Sequence, residues 1–117
     1  MKTAVVTGGA SSIGAAISDR LRADGLQVAT LDLNAGEEKF SYAADVTDRA
    51  AVDAALEGVR AELGPVTVLV NAAGMDRFKR FTDLTFDDWQ KVIDVNLNGT
   101  FHCIQATLPD MLDREST

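Results

Sequence analysis

Between Thr3 and Gly14 the sequence passes from a short β-branched run, Thr3-Ala4-Val5-Val6-Thr7, through Gly8-Gly9-Ala10-Ser11-Ser12 into a helical stripe of Ile13, Ala16, Ile17 and Leu21. A strand that turns on glycines straight into a helix leaves few folds open, because the stripe must cover the sheet to which the strand belongs. The turn also has a chemical capacity. Glycines let backbone approach a ligand closely, and a helix start offers free N–H groups and a positive dipole end to an anion. A tight turn without a ligand is the alternative reading.

The rest of the chain repeats the alternation. Gly25 ends the first helix, and Gln27 to Leu33 is apolar in the manner of strands buried on both faces. Phe40 to Ala44 reads as a third strand, followed by Asp45-Val46-Thr47-Asp48, where Thr47 or Asp48 can cap the next helix. That helix buries Val52, Ala55, Leu56, Val59 and Leu63 and stops at Gly64-Pro65; Val66 to Val70 is the fourth strand, turning at Asn71-Ala72-Ala73-Gly74. A long last helix starts at a capping box of Thr85 and Asp88 and carries Trp89, Val92, Ile93, Leu97, Thr100, Phe101, Ile104, Leu108 and Met111 on one stripe, with a bend expected at Pro109. This alternation predicts an α/β fold: one Rossmann-like domain over 1–117, a doubly wound parallel sheet of order 3-2-1-4. Ligands of such sheets bind at the carboxyl ends of the strands, where both glycine-bearing turns fall.

Composition narrows the function classes. With 46% apolar and 25% charged residues the chain is of ordinary globular make-up, and no apolar run reaches the ~18 residues of a membrane span. The first residues lack the pattern of a secretory signal, so a cytoplasmic location is expected. A net charge of -7 argues against a nucleic-acid partner. Arg77, Lys79 and Arg80 form a local basic cluster, read as solvated, and the single cysteine, Cys103, as a small buried hydrophobe. No metal-ligating set is read.

Asp32 adds to the glycine turn, because an acidic residue at the end of the second strand, about 20 residues on, is where a dinucleotide's ribose diol is hydrogen-bonded. With no Lys or Arg in the turn or directly after Asp32, a 2′-phosphate would meet an uncompensated negative charge, which favours NAD over NADP. Thr7-Gly8-x-x-x-Ser12-x-Gly14, Asp45-Val46-Thr47, Asn71-Ala72-Ala73-Gly74 and Asp94-Val95-Asn96-Leu97 together resemble the short-chain dehydrogenases/reductases in order and spacing. The resemblance spans essentially the whole chain, and against the family the sheet is truncated after strand 4 and its helix. It implies a cofactor site built from the turn (Gly8, Ser11, Ser12, Ile13, Gly14) and Asp32, with Asp45 and Val46 beside the adenine. It further implies that Asn71, Ala72, Ala73 and Gly74 line the cofactor, and that Asn96 is the catalytic residue present, a member of a proton-relay tetrad.

The chain departs from the family pattern at Ser12, where glycine is usual, and at Ala72, which replaces a second asparagine. Asn96 falls between Ile93 and Thr100 on the apolar stripe, so its amide is expected to be buried and to need polar partners, at a penalty of ~1–3 kcal/mol if it finds none. The family's serine and Tyr-x-x-x-Lys are not found: Tyr42 is the only tyrosine, in the third strand, and Val46 stands four places on. His102 reads as a packing or surface residue rather than a substitute acid. The resemblance thus implies the NAD-binding half of an oxidoreductase for an alcohol or ketone, inactive alone. The alternatives are an enzyme completed by another chain and a non-enzymatic nucleotide sensor or assembly module. Homo-oligomers are expected, through the long last helix or the edge of strand 4.

Overall fold

A four-stranded parallel sheet of order β3-β2-β1-β4 forms the centre of the molecule. The computed structural model describes residues 1–10, 12–75 and 79–113; Ser11, Arg77 and the polar tail from Arg114 lie outside the described residues. Strand β1 (Thr3–Thr7) pairs with β2 (Gln27–Asp32) from Thr3↔Gln27 to Thr7↔Leu31, and with β4 (Val68–Asn71) from Ala4↔Val68 to Thr7↔Asn71. Strand β3 (Ser41–Ala43) lies outside β2. The expected fold and strand order are therefore those observed.

Side chains alternate across a strand, and β1 uses this to feed two cores. Val5 joins Ala29 and Leu31 under helices α2 (Arg49–Leu63) and α4 (Gly99–Leu112), against Val52, Leu56, Val59, Cys103 and Ala106. Ala4, Val6 and Val28 face the other way, against Ile17 and Leu21 of helix α1 (Ser12–Ala23). Val5, Val6, Leu31, Val52, Leu56 and Val59 are essentially inaccessible, and each such side chain stabilises the fold by roughly 1.5–3 kcal/mol through burial.

Local chemistry fixes the element ends. Of the two candidate caps, Asp48 is the one used: its carboxylate accepts from the Ala50 and Ala51 amides. Thr47 instead turns back, its amide and hydroxyl donating to Asp45. Gly64 ends α2 at φ 90°, a left-handed conformation that favours glycine. The expected capping box is present at helix α3 (Phe86–Ile93), between Thr85 and Asp88.

Four expectations are corrected. In α1 the buried positions are Gly14 and Ser18, with Ile17 and Leu21 half-buried, whereas Ile13 is 72% exposed and Ala16 is exposed. Strand β4 starts at Val68, not Val66; Val66 is buried just before the ladder, its amide donating to Asp110 at 2.9 Å. Strand β3 is shortened to Ser41–Ala43, because Phe40 takes a φ of 64°, outside the extended range a strand requires. The last helix is also not one continuous α-helix: a π-helical turn, Asp94–Asn98, separates α3 from α4.

The face this last segment turns inward differs as well. Gly99, Cys103, Ala106 and Thr107 are buried, while Trp89, Leu97, Phe101, Ile104 and Leu108 are exposed. Small residues allow the helix a close approach to the loop after β3: a Cβ on Gly99 would stand 2.6 Å from Val46 Cγ2. Arg60 locks this approach, pairing with Asp110 at 2.9 Å and donating to the Ala106 carbonyl. The helix runs on past Pro109 to Leu112. Among the described residues no helix is long and apolar enough to cross a membrane, and no cluster of metal-ligating side chains occurs.

Candidate functional site

The glycine turn begins where β1 ends, and its geometry follows from two close approaches. Gly8 has φ 65°, and a Cβ there would lie 2.9 Å from the Ala73 backbone. Gly14 packs beneath it, where a Cβ would come within 2.0 Å of the Gly8 carbonyl oxygen. The turn is anchored to the sheet by the Gly8 amide, which donates to Leu31 O at 2.7 Å. Ser12 holds φ 38°, a region most L residues avoid, so the glycine usual here in the family has a physical reason.

Asp32, at the carboxyl end of β2, faces the turn. Its Oδ2 accepts the Ala10 amide at 3.2 Å and its Oδ1 the Asn34 amide at 3.4 Å. On the far side, the Thr7 hydroxyl accepts from the Ala72 and Ala73 amides at 3.2 and 3.1 Å, joining the end of β1 to the turn after β4. That second turn is held in its own right by Asn96, which receives the Met75 amide on Oδ1 and donates through Nδ2 to the Met75 carbonyl, both at 2.8 Å. A Cβ on Gly74 would sit 3.2 Å from Asn96 Oδ1, so a side chain there would press on the pairing.

Between these supports lies a cleft of about 280 Å³, lined by Gly8, Asp32, Asp45, Val46, Ala72, Ala73 and Gly74 together with Leu31, Leu33, Ala44, Met75 and Val95. Seven residues singled out from sequence thus share one cavity at the carboxyl edge of the sheet. Ser12, Ile13 and Gly14 are not among its lining; Gly14 supports the floor, and Asn71 is exposed at the end of β4. Asn96 is likewise exposed rather than buried, a correction with a clear cause: the π turn carries it to the rim, where Met75 backbone satisfies its amide. π turns inside helices often mark functional positions. Thr7, Leu33 and Met75 were missed by sequence reasoning, because a buried hydroxyl and two apolar linings carry no spacing signal.

A second, polar cleft borders the first across the turn, lined by Gly9, Ala10, Thr30, Ser41, Asp19, Arg22, Glu37, Glu38 and Lys39 among others. Of the basic cluster after β4, Lys79 pairs with Asp88 at 2.7 Å and Arg80 with Asp83 at 3.3 Å, while Arg77 lies outside the described residues. Lys79 and the Thr85 cap hold the Asp88 carboxyl down at about 2. Elsewhere, burial and then the hydrogen bond to Glu62 push the Tyr42 phenol up to about 12, and burial pushes the Cys103 thiol up to about 11.

A sheet of this order with a glycine turn, a strand-end acid and an open cleft at its carboxyl edge defines a dinucleotide-binding α/β protein. The chain belongs to the short chain dehydrogenase family, whose sequence profile matches residues 2–117. It is 40% identical over 125 aligned positions to a D-threitol dehydrogenase of Mycolicibacterium smegmatis, covering 96% of this chain and 48% of that protein. It is 35% identical to an uncharacterized oxidoreductase of Staphylococcus epidermidis, covering 98% of this chain and 54% of that protein. Among solved structures it resembles the ligand-free aldohexose dehydrogenase of Thermoplasma acidophilum, with a TM-score of 0.89 and 32% identity over 97% of this chain and 45% of that one. The chain spans about half the length of these relatives, and the family works with NAD(P).

Proposed function

We propose that the cleft holds the adenosine and diphosphate portion of NAD, and that these residues supply the cofactor-binding share of an oxidoreductase for an alcohol or ketone. The observation that carries this reading is the shared cavity: the Gly8 bend, Asp32, Asp45 and the Ala72–Gly74 turn line it together, each with the chemistry one part of a dinucleotide needs. A close-approach bend at a helix start suits a diphosphate, a strand-end carboxylate suits a ribose diol, and Leu33, Ala44 and Val46 offer apolar surface for a flat base. When bound, NAD supplies a hydride acceptor and NADH a hydride donor. This chain's residues bind and orient it, with Asn96 fixing the turn that forms one wall.

NAD is favoured over NADP by charge. In the bordering cleft Asp19, Glu37 and Glu38 oppose Arg22 and Lys39, and Arg22 is already paired with Asp19 at 3.3 Å. Calorimetric titration with NAD, ADP and NADP is expected to give saturable heat with the first two and at least ~10-fold weaker binding of NADP, the order of one uncompensated charge contact. Equal affinity would assign Lys39 to the 2′-phosphate instead; no heat with any ligand would end the reading.

We further propose that these residues alone turn nothing over. Carbonyl reduction needs a group that delivers a proton near neutral pH, and Tyr42 points the other way: its phenol is hydrogen-bonded to Glu62 and pushed up to about 12. The names of the relatives point to polyol and sugar substrates, so NADH with a panel of hydroxylated ketones is the relevant assay. No oxidation is expected, and steady turnover by the purified chain would refute inactivity.

A further inference from the structure

Resting on the proposed dinucleotide site, we infer that Asp32, beside its proposed role at the ribose, is also a positioning residue for the glycine turn: its Oδ2 tethers the Ala10 amide, while its Oδ1 accepts the Asn34 amide of its own strand end. The base of the turn is held by the Gly8 amide on Leu31 and by Gly9, which lies so close to Thr30 that a Cβ would meet its Cγ2 at 2.5 Å. The far end is held by Gly14 beneath Gly8. Between them Ala10 is exposed, and its amide donates to Asp32 Oδ2 at 3.2 Å. This hydrogen bond spans 22 residues of sequence and joins the crest of the turn to β2. It is charge-assisted, which makes it stronger than a neutral pair.

Two residues beyond the tethered Ala10, Ser12 holds a φ of 38°, which must be kept against its intrinsic preference. Removing the carboxylate therefore does two things at once: it takes away the ribose acceptor and it releases the turn that faces the diphosphate. Replacing Asp32 to admit a 2′-phosphate should consequently weaken every diphosphate ligand, not only those with a free diol.

The test separates the two roles with a ligand that has no ribose hydroxyls, 2′,3′-dideoxyadenosine 5′-diphosphate, alongside ADP, on the unaltered chain, Asp32→Ala and Asp32→Asn. Asn keeps an oxygen that can accept the Ala10 amide. Asp32→Ala is expected to weaken the dideoxy ligand by about five- to tenfold, the effect of losing one charge-assisted hydrogen bond, while Asp32→Asn stays within about twofold. In the ligand-free protein, hydrogen exchange at the Ala10 amide should quicken in Asp32→Ala and be largely restored in Asp32→Asn. Unchanged or tighter dideoxy binding in Asp32→Ala overturns the tether, as does unchanged exchange at Ala10. Failure of the unaltered chain to bind ADP overturns the cofactor reading instead, and the exchange measurement still decides the tether.

Discussion

Ser12 and Gly14 bracket the start of α1 and make opposite predictions. Ser12 holds φ 38°, a conformation that costs an L residue about 1–2 kcal/mol and glycine almost nothing. Ser12→Gly should therefore raise the denaturation midpoint, by up to about 1 kcal/mol once the added freedom of the unfolded chain is set against it; a lower midpoint would show that the serine side chain stabilises the turn. Gly14→Ala would drive a methyl to 2.0 Å from the Gly8 carbonyl oxygen. It should cost about 3 kcal/mol or more and abolish ADP binding, checked by urea unfolding and calorimetry. Cys103 gives a pH prediction. Its thiol is raised from 9.0 to about 11 by burial, so the unfolded chain loses this proton first as pH rises. Stability is intact below pH 9 and falls between about 9 and 11, and Cys103→Ala should flatten that part of the stability profile. At this scale Gly8 and Asp32 were legible because spacing along the chain places them at strand ends, and Asp45 through the family resemblance alone. Thr7 was not legible as a support, because its hydroxyl serves amides 65 and 66 residues away.

Helix faces depend on what the sheet will accept. The last segment carries two apolar stripes, one of large residues through Leu97, Phe101, Ile104 and Leu108, the other of small ones through Gly99, Cys103, Ala106 and Thr107. The small stripe is buried, since only it lets α4 approach Val46 and α2 closely enough for Arg60 to reach Asp110. Periodicity gives the spacing of a stripe and is silent on which of two stripes wins; it is equally silent on the π turn, whose hydrogen-bond shift leaves no mark in hydrophobic pattern. The caps were legible, because Asp48 and the Thr85–Asp88 pair act on their own neighbours. Asp110 tests the element-level account: it binds Arg60 of α2 and the Val66 amide ahead of β4. Asp110→Ala should cost about 1–3 kcal/mol in urea unfolding, with faster exchange at Val66; a neutral result would mean that apolar contact alone holds α4 in place.

For the whole molecule, the buried small stripe leaves its large counterpart outward. Trp89, Leu97, Phe101, Ile104, Leu108 and Leu112 are each more than 40% exposed, an apolar surface of the kind that marks association. We propose that a second copy covers it, as an isologous helix-to-helix contact would. Sedimentation should show a concentration-dependent dimer that Phe101→Glu dissolves, and a monomer at all concentrations would contradict the proposal. The central claim remains the cleft at the carboxyl edge of the sheet, and an amide-resolved magnetic resonance titration with NAD tests it most directly. Resonances of Gly8, Asp32, Asp45, Val46 and Ala73 are predicted to shift together and saturate, while those of Glu57 and Ala61 on the exposed face of α2 stay fixed. A spectrum that does not move, or one that moves only outside this set, would contradict it.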